Sequence, residues 1–310
     1  MNSPDGKKYS SFVNQTEKSQ YFLGMRSDNM AFKKLCRGPK LTLPTVILFL
    51  VSAMGTAGIA YATITQFLPL SYAMAGILMG IFGYLQFSVI HDAAHRAVSS
   101  IAWVNELIGN LGLVFMGSPV SLSVIRRVHI QHHVYANGAK DPDHWIHHGS
   151  PLTLPLRWAT LELFYVYYYL RHQHPRPLRE LAPVLVGLVM MASLLTTLVV
   201  LGYGQEVFWL WFIPSRIASF LISAVFVFLP HFPHEVAQNE NPYRATPIRL
   251  GCEWLLTPVL AYQNYHLIHH LYPTAPFYNM KKIWNIKSKE TEFIDRNPSI
   301  VDAFGLTPRN

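Results

Sequence analysis

LTLPTVILFLVSAMGTAGIAYATITQFLPLSYAMAGILMGIFGYLQFSVI, residues Leu41–Ile90, runs for 50 positions without one Asp, Glu, Lys, Arg or His. A helix needs about 20 apolar residues to cross the hydrocarbon core of a bilayer. The stretch therefore holds two spans and a turn, and Gln66-Phe67-Leu68-Pro69 supplies the break. The spans are expected at Pro44–Gln66 and Pro69–Ile90. A second pair is expected at Leu181–Tyr203 and Val207–Leu229, joined by Gly204-Gln205-Glu206. Pro214 and Arg216 fall inside the fourth span, so a kink is expected there, and Arg216 needs a partner or a polar lining. Ile101–Ile125 is also apolar, but it carries Asn105, Glu106, Asn110 and Pro119 and reads as a re-entrant or interfacial segment.

Composition agrees with this reading. Hydrophobic residues make up 51% of the 310 and charged residues 14%, against about 25% charged in an ordinary soluble chain. The net charge of +8 raises the question of nucleic acid, and its placement answers it. Residues 1–40, 91–180 and 230–310 each carry eight Lys or Arg, leaving only Arg216, and the short turns within the two hairpins carry none. By the positive-inside rule both termini and the long 91–180 segment face the cytoplasm. The basic excess then reads as topology and contact with anionic lipid, and no nucleic-acid partner is expected. Cys36 and Cys252 are too few for a disulfide framework and lack ligand-pair spacing. The first 40 residues have no apolar run behind their lysines, so a cleaved secretory signal is not expected.

The chain also has 15 histidines, all outside the four expected spans. HDAAH puts His91 and His95 on one helix face at i, i+4. HIQHH (His129, His132, His133) and HLIHH (His266, His269, His270) each offer i, i+3 and i+4. HFPHE adds His231 and His234 at the end of the fourth span. HWIHH (His144, His147, His148) repeats the H-x-x-H-H spacing, and spacing alone does not separate it from HIQHH. Several such groups beside membrane boundaries point to a metal cluster. Eight or nine imidazoles exceed the coordination of one ion, so two metals are implied. Imidazole suits iron, zinc, copper or nickel, whereas a structural zinc site would be four-coordinate and would usually use cysteine. The Glu-x-x-His pairs of soluble di-iron bundles are missing. Paired redox metals at a membrane suit activation of O2 against the C–H bonds of an apolar substrate.

HDAAH, HIQHH and QNYHLIHHLYP resemble the three histidine boxes of the membrane fatty acid desaturase superfamily. DPDHW at Asp141–Trp145, LPHFP at Leu229–Pro233 and QNYHLIHHLYPTAPFYN at Gln263–Asn279 are similar to the β-carotene hydroxylases of cyanobacterial and plastid type within it. The resemblance runs from about Gly83 to Trp284, and His234 is an addition to its pattern. It implies an all-α membrane protein with about four spans in two hairpins and a cytoplasmic helical cap carrying a di-iron site. It implies the ligands His91, His95, His129, His132, His133, His231, His266, His269 and His270, preferring HIQHH to HWIHH. It implies two iron ions, O2 as co-substrate, no tightly bound organic cofactor, and an apolar lipid substrate that is hydroxylated or, alternatively, an acyl chain that is desaturated. No Rossmann, flavin or ferredoxin-like motif is present, so electrons are expected from an external donor such as ferredoxin or a small cytochrome. Ligating imidazoles usually donate their other N–H to a carboxylate or carbonyl, which nominates Asp92, Asp143 and Asn264 as supporting residues. The aromatic run Phe164–Tyr169 is expected as an interfacial belt, and His172 and His174 as surface residues. The domain plan is a basic segment over 1–40, a membrane domain over 41–284 and a C-terminal tail over 285–310.

Overall fold

A computed structural model describes residues 30–172 and 178–305. His174 and most of the basic N-terminal segment lie outside them. The short helix α1 (Met30–Leu35) is followed by the hairpin of α2 (Leu43–Ile64) and α3 (Tyr72–Ala94). Helices α4 (Ala102–Met116), α5 (Leu122–Tyr135), α6 (His144–His147), α7 (Leu154–Ala159) and α8 (Leu161–Arg171) make up the segment between the hairpins. The second hairpin is α9 (Leu178–Val200) and one long helical stretch, α10 (Gly204–His231). The C-terminal cap holds β1 (Ile248–Leu250), α11 (Glu253–Val259), α12 (His266–Leu271), α13 (Met280–Lys287), α14 (Thr291–Ile294) and β2 (Ile300–Asp302). β1 and β2 pair in parallel, Ile248 opposite Ile300.

Among the described residues, four helices are long and apolar enough to cross a membrane: Leu43–Ile64, Tyr72–Ala94, Leu181–Val200 and Gly204–His231. The turn at residues 65–71 falls where Gln66 and Pro69 predicted it. The second span differs from expectation at its C-terminal end, where α3 continues unbroken through His91 to Ala94, with His95 as its cap. The fourth likewise carries His231 in its last turn. Two of the histidines are thus the inner ends of spanning helices, because α3 and α10 are buried by their neighbours there and need not stop at the apolar boundary. Helix α4, with 15 residues, is too short to span. It stops at Gly117, whose φ of 75° is a backbone state that L side chains rarely adopt.

Burial separates the spans. The apolar window of α3 is 61% buried and that of α10 is 44%, against 22% for α2 and 6% for α9. Small residues bring the inner two together: a Cβ on Gly80 would lie 2.6 Å from Ile217 Cβ, and one on Gly83 would lie 2.9 Å from Ala218 Cβ. Only glycine allows that approach. Two π-helical turns, Phe208–Phe212 and Ser223–Phe228, interrupt α10. Pro214 and Pro230 each follow one of them, and the widened turn makes room for a ring that would otherwise meet the carbonyl four residues back. Arg216 finds its partner in Glu162 of α8, with which it pairs, and it donates to Ala159 O at 2.6 Å.

The interfacial belt expected at Phe164–Tyr169 is corrected in part. Tyr165 and Tyr169 are buried in the core formed by α3, α4, α5, α8 and α10, because α8 turns one face inward. A second core lies in the cap, where Phe32 of α1 clusters with Tyr265, Leu267, Ile268, Leu271, Tyr272 and Trp284. Thr274 and Asn279 hydrogen-bond the carbonyls of Cys36 and Leu35. α14 and β2 are built into this cap through β1.

Candidate metal centre

Four elements deliver imidazoles to one place. α3 ends there with His91 and His95, α10 ends there with His231, and α5 and α12 lie across both ends. Two groups of four form. His91, His95, His129 and His269 make the first, and His132, His231, His266 and His270 the second; within each, the ligand atoms lie within 4.8 Å of one another. His133 sits between them, its Nε2 2.8 Å from His269 Nε2 and 3.2 Å from His129 Nε2, its ring stacked on His270 at 4.3 Å. All nine sequence-nominated histidines are thereby brought together. Of these, only His129 is more than marginally exposed.

The boxes on α5 and α12 each feed both groups, whereas His91 and His95 of α3 both belong to the first. On α5, His129 belongs to the first group and His132 to the second; on α12, His269 belongs to the first while His266 and His270 belong to the second. Consecutive residues on a helix are rotated by about 100°, so H-x-x-H-H points its rings to two sides of one line.

The second group shows how its rings are held. His132 Nδ1 lies 2.9 Å from Asp141 Oδ1 and 3.1 Å from Asp143 Oδ2. His266 Nδ1 lies 2.5 Å from Gln263 Oε1. Acceptors at Nδ1 fix a proton on that nitrogen in both rings, so that each, when neutral, offers its Nε2 lone pair. Those lone pairs meet His231 Nε2 at 3.0 and 2.9 Å, and His270 Nε2 lies 3.1 Å from His266 Nε2. A neutral His231 has one proton to donate and cannot satisfy both, whereas a shared cation accepts all of them. Ligands held at ~2.1 Å and at right angles lie ~3.0 Å apart, which is the spacing found. In the first group, His91 Nε2 is buried with no hydrogen-bond partner among the described residues, and its ring lies 4.7 Å from that of His129 and 4.3 Å from that of His269. The donor set fits two transition-metal ions.

Electrostatics point the same way. Burial, reinforced by neighbouring imidazoles, drives His129, His133, His266, His269 and His270 well below the ordinary histidine range, so these rings are neutral, the form in which imidazole can ligate a metal. His132 is the exception. Burial pulls it down, but the charges of Asp141 and Asp143 outweigh that and raise it to about 9. Burial lifts Asp143 to about 6 against the opposing pull of His132.

The supporting residues divide. Asp143 sits at His132 and also accepts from the Tyr165 hydroxyl at 2.6 Å. Asp92 is 1% exposed, and its two oxygens take Thr45 Oγ1 and the Phe277 N–H, tying α3 to α2 and to the cap. Asn264 donates to Thr257 Oγ1 at 3.3 Å. Sequence reasoning missed three residues: Asp141, the nearer carboxylate at His132; Gln263, the neighbour of Asn264; and Tyr165. The available signals were the doubled acid of Asp-Pro-Asp and the i−3 position of Gln263 relative to His266. Nothing local marked Tyr165.

HWIHH supplies no ring to either group of four. His144, His147 and His148 form a separate cluster, half-buried to exposed. His172 is exposed.

Beside the cage is a small pocket of about 10 Å³. His91, His129, His132 and Asp143 line one part of it, and Phe87, Ile125, Phe226 and Val227 the rest. Its apolar wall comes from the two inner spans and α5.

Residues 67–295 match the family model of the fatty acid desaturases. The chain belongs to that family. Among curated family relatives, the β-carotene ketolase of Paracoccus sp. (strain PC1) is 27% identical over 63% of this chain and 72% of its own length. The sn-1 oleoyl-lipid 12-desaturase of Anabaena variabilis is 22% identical over 69% and 67%. The Delta 8-(E)-sphingolipid desaturase of Emericella nidulans is 27% identical over 68% of this chain and 47% of its own. Their names all describe oxidation chemistry, and this member of the desaturase family is a membrane oxidoreductase whose histidine clusters are able to bind metal.

Proposed function

We propose that this protein is an O2-dependent, non-haem di-iron enzyme that inserts oxygen into a C–H bond of a long apolar lipid of carotenoid type. The observation that carries the reading is the pair of imidazole groups beside an apolar-walled pocket between membrane spans. His91, His95, His129, His133 and His269 would hold one iron, and His132, His231, His266 and His270 the other. Bound iron supplies the O2 chemistry that an unactivated C–H bond requires. The protein supplies the rest. Asp141, Asp143 and Gln263 keep His132 and His266 in one tautomer and one orientation. Phe87, Ile125, Phe226 and Val227 give the pocket an apolar wall, which would keep water away from the reacting carbon. Hydroxylation consumes one O2, two electrons and two protons, and releases the alcohol and one water. The electrons come from an external acidic carrier such as ferredoxin or a small cytochrome, docked on the basic face.

Desaturation of an acyl chain is the second reading, favoured by the two desaturase relatives. The β-carotene ketolase relatives favour oxygen insertion, because a ketone requires oxygen on the carbon. Expression in a host that makes β-carotene separates them. New oxygenated pigment is expected; unchanged pigment with altered fatty-acid unsaturation transfers the assignment to desaturation. Two irons per purified chain without a Soret band are expected, and a Soret band would overturn the non-haem assignment.

The membrane domain is taken as residues 41–284, with 1–40 and 285–310 flanking it and the metal site on the cytoplasmic side. Cys252 reports on this orientation because it is exposed on the cap. Cys36 stays silent, since burial pushes its thiol up to about 12 despite Lys287 and Arg37, and almost no thiolate exists near pH 8. A membrane-impermeant thiol reagent should label inverted vesicles and leave right-side-out vesicles unlabelled; the reverse pattern refutes the orientation.

A further inference from the structure

HWIHH and His234 form a second histidine constellation that the cage does not use. His148 Nδ1 lies 2.8 Å from His147 Nδ1, and the rings of His144 and His148 stack at 3.2 Å between centroids. The ligand nitrogens of His144, His147 and His148 all lie within 4.8 Å of one another. Two ring nitrogens facing each other at that distance share at most one proton, so at least one lone pair lacks a hydrogen. His147 Nε2 is also buried without a hydrogen-bond partner among the described residues. On its other side the His147 ring stacks on His234, 3.9 Å away and 7° from parallel, which fixes its plane.

The backbone that carries the three rings is held from behind. The Arg157 guanidinium donates to the carbonyls of Trp145, His148 and Ser150, and Trp158 Nε1 donates to Ile146 O. A tripod preorganised in this way does not have to pay for ordering a loop when it binds. Three imidazoles with an open, solvent-facing side are the donor set of a borderline divalent ion with water in its remaining position.

We propose that His144, His147 and His148 form an outer binding site for one divalent transition-metal ion, separate from the buried cage. Nothing in this proposal depends on what the cage holds or on the reaction it performs.

The test uses the purified full-length protein in detergent, loaded with iron, equilibrated with zinc against a weak chelator, and analysed for both metals. The wild type should retain ~one zinc per chain without losing iron. The double variant His144→Ala/His148→Ala should bind that zinc at least ~10-fold more weakly with iron unchanged. The proposal is overturned if the wild type retains no zinc, if zinc enters only as iron leaves, or if the double variant binds zinc as well as the wild type. Should the double variant lose iron too, the exposed single change His148→Ala decides: weakened zinc binding upholds the site, and unchanged binding removes it.

Discussion

HIQHH and HWIHH lie 15 residues apart and have the same H-x-x-H-H spacing, yet they have different fates. HIQHH sits in the last turns of the 14-residue helix α5, which packs against α3 and α8 beneath the ends of two spans. HWIHH forms a single turn, α6, of four residues at the surface. The first meets six further histidines carried by α3, α10 and α12, and two carboxylates; the second meets His234 and solvent. Spacing is a property of one helix, whereas a bimetallic cage needs several helices to end at the same point. The difference between the motifs is therefore tertiary.

That comparison can be broken most sharply at the cage. His132→Ala and His269→Ala should each reduce turnover to background and lower the iron per chain; full activity in either variant would remove it from the ligand set. A smaller but still large effect is expected beneath α5. Arg216→Ala leaves Glu162 buried without its cation and should cost about 3–5 kcal/mol, read as a loss of thermal stability in detergent. An unchanged Tm would show that α8 is not held by this pair. Asp141→Asn and Asp143→Asn should each weaken metal affinity by about 10–100-fold, because His132 loses a charged acceptor, and Gln263→Ala should fall near the lower end of that range. Competition with a chelator measures this, and wild-type affinity in all three would show that the tautomers are fixed by something else. Last, His148→Ala should leave iron per chain unchanged, and His172→Ala should leave turnover unchanged. Loss of iron in the first would put HWIHH inside the cage after all.

The spans were legible because their information is local: a 50-residue stretch without ionisable side chains and a Pro-marked turn require only a hydropathy pattern. The histidine boxes were legible for the same reason, as i, i+3 and i+4 are distances along one helix. What was not legible came from other elements. That His129 and His132 separate between the two groups follows from where α10 and α12 end. Asp141 outranks Asp143 at His132 because the loop after α5 turns back on itself, with Asp141 also accepting the N–H groups of Asn137 and Asp143. Tyr165 read as part of a belt because its aromatic run is nearly uniform, and only the packing of α8 distinguishes the inward face. Glu162 gave no sign of being the partner of Arg216, 54 residues later in the chain.

The sharing of α5 and α12 between the two groups has a mechanical meaning. Where two metal sites are carried on separate loops, the gap between them follows every loop motion. Here each of two rigid rods carries rings for both imidazole groups, so the gap is set by helical pitch, as the jaws of a caliper are set by its bar. No small movement of the cap can widen one group without turning rings in the other. The two sites are therefore a single mechanical unit, and a cation seated in the first already holds α5 and α12 in the posture that the second requires.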